Sequence, residues 1–117
     1  MKRILVVDDD TDILNLVKTI LALNSYAVET IADWKQLNNA IESFRPHLIL
    51  LDISLSGASG LDLCDELKKA ENTMHIPVVL FSANVEMAKR VSECGAVDYI
   101  AKPFSIKDLL VIIEKNS

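Results

Sequence analysis

Two cysteines in 117 residues, Cys64 and Cys94, are too few for a disulfide framework, so the fold must be held by burial. With only three glycines and three prolines there is no flexible or proline-rich linker, and the composition excludes a collagen-like or low-complexity chain. No apolar run approaches the roughly 18 residues needed to cross a bilayer, so no membrane partner is expected. The start, Met1-Lys2-Arg3-Ile4-Leu5-Val6-Val7-Asp8, passes from two basic residues through four apolar ones into acid, too short for a signal-peptide core. The cytoplasm is the expected compartment. Basic residues are outnumbered as well: 12 Lys and Arg against 17 Asp and Glu leave a formal charge of -5, which argues against nucleic acid as a direct ligand.

What is present is ordinary for one globular domain, 50% hydrophobic and 25% charged, and the expectation is a single domain over residues 1–117. Short apolar runs recur at Ile4 to Val7, Ala27 to Ile31, Leu48 to Leu51, Val78 to Phe81 and Val97 to Ala101. Rich in Val, Ile and Leu, and mostly lacking polar alternation, they suit strands buried on both faces of a parallel sheet. Between them, Ile13, Leu14, Leu16, Val17, Ile20 and Leu21 recur at helical spacing, as do Leu61, Leu63, Cys64 and Leu67, then Ala88 and Val91, then Leu109, Ile112 and Ile113. Asp33 to Ser43 reads as one further, weaker helix. The expected architecture is therefore α/β, a doubly wound five-stranded parallel sheet in the order 2-1-3-4-5, flanked by five helices.

Acidic residues follow two of these runs directly. Asp8, Asp9 and Asp10 come after the first and Asp52 after the third, which places both groups at strand carboxyl ends. In an open α/β sheet that edge binds ligands where the strand order reverses, between strands one and three. Carboxylates converging there raise one another's pKa values unless a hard cation neutralises them, and Mg²⁺ is the expected ion. The fourth run ends in Phe81-Ser82-Ala83 and the fifth in Ala101-Lys102-Pro103-Phe104, adding a hydroxyl and an ammonium to the same edge. Nucleophilic carboxylate, cation, hydroxyl and lysine together suit the formation and holding of an acyl phosphate.

With these segments in view, the sequence resembles the response-regulator receiver domains of two-component signalling, with their CheY-like fold, over essentially its whole length. Ile4 to Asp10, Leu50-Leu51-Asp52-Ile53-Ser54-Leu55 with Gly60, Phe81-Ser82-Ala83 and Tyr99 to Phe104 carry the resemblance. It implies that Asp52 accepts a phosphoryl group from a histidine kinase or phosphotransfer protein. It implies also that Asp8, Asp9, Asp52 and the backbone carbonyl of Ser54 hold Mg²⁺, that Ser82 and Lys102 contact the phosphoryl oxygens, and that Tyr99 is the aromatic switch. The Lys102-Pro103 bond is expected to be cis. The output would be a changed face of the fourth helix, fifth strand and fifth helix, read by a downstream protein, so that the chain is a switch assisting its own phosphorylation and dephosphorylation and not an enzyme.

Some positions depart from the common pattern of that family. Leu55-Ser56 replaces the usual Met-Pro after Asp52, which removes the φ restriction of proline and predicts a more mobile loop. Ser54 and Asn84 stand where the family tunes hydrolysis of the phosphoryl group. The last helix carries Ile106, Leu109, Leu110, Val111, Ile112 and Ile113, more apolar surface than one core face needs, and this predicts a partner or self-association face, including a homodimer. Ile112 occupies a position that is basic in the subfamily dimerising through charged pairs, although Asp98 and Lys89 fit that pattern.

Other readings of the same residues compete. Asp10 or Thr11 makes a good helix N-cap, a role that needs no ligand. An EF-hand beginning at Asp8 fails, because its glycine position falls on Ile13 and its bidentate glutamate position on Thr19. His47 precedes Asp52 by five residues, roughly 16 Å along a strand, and belongs to the opposite edge, as does His75. Cys64 and Cys94 read as small buried residues, Gly95 as a helix C-terminal cap and Trp34 as packing. Tyr99 by itself is also read as an ordinary half-buried strand aromatic, and Lys102 as a surface lysine. A haloacid dehalogenase-type phosphatase would want Thr or Val where Asp12 stands. A pseudo-receiver acting only by interaction would lack at least one site residue, and an FMN phosphate would face carboxylates.

Overall fold

The computed structural model describes residues 1–83, 86 and 90–117. In chain order the elements are β1 (Arg3–Val7), α1 (Thr11–Leu23), β2 (Ala27–Ile31), a 3₁₀ turn (Trp34–Gln36), α2 (Leu37–Phe44) and β3 (Leu48–Asp52). A two-residue ribbon follows, β4 (Ser54–Leu55) and β5 (Ala58–Ser59), then α3 (Gly60–Lys69), β6 (Val78–Ser82), a 3₁₀ turn (Val91–Cys94), β7 (Asp98–Ala101) and α4 (Ile106–Asn116). The long strands form one parallel sheet in the order β2-β1-β3-β6-β7, which is the expected 2-1-3-4-5 order of the apolar runs.

Alternation along each strand divides the core between the two faces of the sheet. Ile4, Val6, Leu48, Leu50, Val79, Phe81 and Ile100 meet Leu14, Val17, Ile20 and Leu21 of α1 and Leu109 and Ile113 of α4. Leu5, Val7, Ile49, Leu51, Val78 and Leu80 meet Leu37, Ala40 and Ile41 of α2 and Leu61, Leu63, Cys64 and Leu67 of α3. Burial on both sides explains why these strands read as nearly continuous apolar runs.

Helix starts follow local capping chemistry. Asp10 Oδ1 accepts from the amides of Asp12 and Ile13 at the start of α1, Ser59 Oγ from Leu61 at α3, and Ser105 Oγ from Asp108 at α4. Gly60 opens α3 hard against the end of β3. Its N–H donates to the Ile53 carbonyl at 2.8 Å, and a Cβ there would run into the backbone carbonyl oxygen of Asp52.

Some expectations need correction. Four flanking helices lie wholly among the described residues, and the fifth one expected falls largely outside them. Of the helix expected around Ala88 and Val91, Ala88 lies outside the described residues, while Val91–Cys94 is a 3₁₀ turn closed by Gly95 at φ 86°. The helix expected over Asp33 to Ser43 is divided: Asp33 caps a 3₁₀ turn by accepting from Lys35 N–H, and the α-helix starts only at Leu37. Leu16 shares the period of α1 but is 49% exposed. Asn84 and Lys89 also lie outside the described residues.

Candidate functional site

The acidic residues converge at the carboxyl edge of the sheet because β1 and β3 are adjacent and in register. Val7 pairs with Leu51, so Asp8 and Asp52 leave neighbouring strands side by side. One carboxylate oxygen from each of Asp8, Asp9 and Asp52 lies within 4.8 Å of the others. Asp8 and Asp52 are buried and Asp9 is exposed. β6 and β7 extend the same edge: Asp52 is paired with Phe81, and Ser82 with Ala101. Ser82 is buried, and its carbonyl accepts from Lys102 N–H at 2.8 Å. The Lys102-Pro103 bond is cis, as expected.

Lys102 is the ammonium of this edge. Its Nζ lies 2.8 Å from Asp8 Oδ2 and 3.4 Å from Asp52 Oδ2, and 5.3 Å from the centroid of the Phe81 ring. Phe104 stacks on the same ring at 5.6 Å between centroids. Burial works against the lysine charge, but the hydrogen bond to Asp8 and the charges of Asp52 and Asp8 outweigh it and hold the pKa above the ordinary lysine value. Asp52 goes the other way. Burial first, then the Asp8 charge, push its carboxyl up to about 6, against the pull of Lys102 and of a bond from Ser54 N–H to Oδ1 at 3.3 Å.

This donor set fits a hard divalent cation. Three carboxylates face one ammonium at this edge, which leaves an excess of negative charge for a cation to offset. Oxygens from Asp8, Asp9 and Asp52 that all lie within 4.8 Å of one another would hold a hard cation that prefers carboxylate oxygen.

Comparison with known proteins agrees with this architecture. Residues 4–114 match the family described as the response regulator receiver domain. The chain belongs to that family. The phosphate regulon transcriptional regulatory protein PhoB of Escherichia coli is 40% identical over 115 residues, covering 97% of this chain and 50% of that protein. The receiver domain of NtrX from Brucella abortus shares 39% identity and superposes with a TM-score of 0.88 over 97% of this chain and 96% of that one. The chemotaxis protein CheY4 of Vibrio cholerae, at 23% identity and a TM-score of 0.91, over 100% of this chain and 99% of that one, shares the fold. The chain spans about half the length of the curated relatives it matches, PhoB among them. Receiver domains of this family are signalling switches of two-component systems.

Ser54 begins the ribbon, paired with Ser59. Tyr99 sits on β7 opposite Leu80, with its side chain partly exposed and its N–H bonded to Asp98 Oδ1 at 2.9 Å. Asp10 serves as the N-cap of α1. His47 lies at the far edge, where its Nδ1 accepts from Arg3 N–H at 2.9 Å, and His75 also precedes its strand. Cys64 and Cys94 are free and buried.

Two hydrogen bonds of the loop after Asp52 were not legible in the sequence, which read Ser56 only as a loop departure and Trp34 as packing. The loop after Asp52 is held firmly despite its lack of proline: Ser56 N–H donates to Asp9 Oδ2 at 3.0 Å, and Trp34 Nε1–H donates to the Ser56 carbonyl at 2.9 Å. Two hydrogen bonds thus stand where the φ restriction of proline is lacking. The only available signal was the exchange of Pro for Ser, which restores a backbone donor.

Proposed function

We propose that this receiver domain, spanning residues 1–117, takes a phosphoryl group onto Asp52 from a histidine kinase or a phosphotransfer protein. The observation that carries the reading is the convergence of Asp8, Asp9 and Asp52 at one edge with Lys102 Nζ between two of them. With its carboxyl near 6, Asp52 is mostly ionised at neutral pH and keeps a nucleophilic oxygen. That oxygen bonds to phosphorus as the bond to the donor's imidazole nitrogen breaks, and the nitrogen leaves with the electron pair. Lys102 is placed to bind phosphoryl oxygens, and Ser82 stands on the adjoining strand end. Asp8, Asp9, Asp52 and the Ser54 carbonyl would hold Mg²⁺, which when bound supplies Lewis-acid stabilisation of phosphoryl charge.

The change of shape passes from Ser82 to Tyr99 and to the face made by β7, α4 and the fourth of the five expected helices, which falls largely outside the described residues. Tyr99, Ile106 and Val111 are exposed there, 42%, 57% and 53% respectively. That surface is the one offered to a downstream protein or to a second copy of the chain. No helix among the described residues is long and apolar enough to cross a membrane. The working compartment in this reading is the cytoplasm, and with a net charge of -5 these residues do not contact nucleic acid directly. The domain assists its own phosphorylation and dephosphorylation and turns over no separate substrate.

Intact mass after incubation with acetyl phosphate, with and without Mg²⁺, tests the reading beside an Asp52→Asn control. A single Mg²⁺-dependent phosphoryl adduct absent from the control is expected. If neither an adduct nor beryllofluoride binding is found in the wild-type chain, the phosphoacceptor reading is wrong and an interaction-only domain replaces it.

A further inference from the structure

Resting on the reading of Asp8, Asp9 and Asp52 as cation ligands, we infer that Trp34 is a positioning residue for this cation site, acting through the Ser56 backbone on Asp9. Asp9 is the least constrained of the three carboxylates by burial, since Asp8 and Asp52 are enclosed and Asp9 is exposed. An exposed carboxylate loses rotamer freedom when it ligates a cation, and that loss weakens binding unless the side chain is already held. The structure supplies such a hold. Asp9 Oδ2 accepts from Ser56 N–H at 3.0 Å, which leaves its other oxygen and remaining lone pairs for a cation.

Ser56 lies at the tip of the β4–β5 ribbon, and a two-residue ribbon is too short to be rigid on its own. Trp34 braces it. The indole Nε1–H donates to the Ser56 carbonyl at 2.9 Å, while the ring packs with Leu55 and Ala58 of the ribbon against the same core cluster. The backbone of Trp34 is fixed in turn by the 3₁₀ turn that Asp33 caps. Gly57, at φ 85°, follows Ser56 and lets the chain turn beneath the indole, where an added Cβ would come within 3.6 Å of Nε1. A direct line of support therefore runs from the partly buried Trp34 through one residue's backbone to a carboxylate of the site. It depends on Ser56 having an N–H, which proline at that position would remove.

Calorimetric titration of the full chain with MgCl₂ tests the inference, with circular dichroism and thermal melts in EDTA establishing that each variant is folded. Trp34→Phe and Ser56→Pro are expected to weaken Mg²⁺ binding roughly three- to tenfold, the span of one hydrogen bond's net contribution. Ser56→Ala keeps both backbone groups and is expected to bind as wild type does. Because both changes break one line of support, Trp34→Phe is expected to add little in the Ser56→Pro background. A Trp34→Phe variant that binds Mg²⁺ like wild type, or losses that simply add in the double variant, would overturn the role of Trp34 and leave the cation site standing. If Trp34→Phe does not fold, the contrast between Ser56→Pro and Ser56→Ala decides, and equal affinities for the two overturn the inference. A wild-type chain that binds no Mg²⁺ removes the cation site itself and the inference with it.

Discussion

Lys102 is bound more closely to Asp8 than to Asp52: its Nζ is 2.8 Å from the first carboxylate and 3.4 Å from the second. The lysine thus neutralises the residue that is fully enclosed and leaves the proposed nucleophile only partly compensated. Asp52 is the frustrated group of this site before a cation or a phosphoryl group arrives, because burial first and the Asp8 charge second outweigh the pull of the more distant Lys102.

Replacing Asp52 with Asn is expected to stabilise the metal-free protein near neutral pH. The folded-state pKa of about 6 lies above the ordinary value of 3.8, so the native state favours the protonated form. The stability it contributes is complete below 3.8 and is lost as pH rises through about 6. An uncharged amide avoids that loss. Allowing for screening at the open edge, Asp52→Asn should gain about 1–2 kcal/mol above pH 7 in EDTA, with the gain vanishing in acid. Urea unfolding across this pH range measures it, and a variant less stable than wild type at neutral pH contradicts the electrostatic account.

Lys102→Met is expected to act in the opposite sense. It leaves the buried Asp8 carboxylate without its cation and facing Asp52. Breaking one side of such a pair costs about 3–5 kcal/mol at neutral pH, and the loss should shrink on acidification as Asp52, already raised to about 6, takes up a proton. Added Mg²⁺ should also restore part of the stability. Thermal melts at several pH values, with and without MgCl₂, check this, and a pH-independent loss would point to lost packing on Phe81 in place of lost charge.

Gly60 is constrained by proximity. A methyl group there meets the carbonyl of Asp52 and the backbone of Ile53, neither of which moves without displacing the end of β3. Gly60→Ala is expected to cost about 1–3 kcal/mol or more and to slow phosphorylation, because the shifted backbone carries Asp52, the proposed acceptor. Equilibrium unfolding and the rate of adduct formation with acetyl phosphate give the two readouts. Normal stability and rate together would show that the strand end yields more easily than its neighbours imply.

The three central strands β1, β3 and β6 were legible because each is buried on both faces and so appears in the sequence as a block of Val, Ile and Leu, while β2 and β7, only partly buried, carry polar residues such as Glu29 and Asp98. Asp8, Asp52, Ser82 and Lys102 were legible for a related reason, since each directly follows or closes such a block. The β4–β5 ribbon was not, because two-residue strands have no period to read. Nor were the pairings themselves: Lys102 reaches Asp8 across 94 positions, Ser56 reaches Asp9 across 47, and Trp34 reaches Ser56 across 22. Local pattern places side chains at an edge, while register and loop path decide which of them touch. Leu16 shows the same limit, because it shares the helical period of α1 while facing outward.

Cys64 and Cys94 are expected to be inert in the native protein. Burial pushes the Cys64 thiol far above its ordinary pKa, and its Sγ donates to the Cys94 carbonyl at 3.4 Å. Cys94 is buried too, with its Sγ donating to the Val91 carbonyl at 3.3 Å. Since the thiolate is the reactive species, labelling must wait for an opening that both exposes and solvates the sulfur. A thiol-specific disulfide reagent should therefore modify both cysteines in urea but label the native chain slower by roughly three orders of magnitude or more, the scale set by the population of open states. Fast labelling of one cysteine would reveal local opening at the packing of α3 against the Val91–Cys94 turn, and its mass-mapped position would identify which side opens.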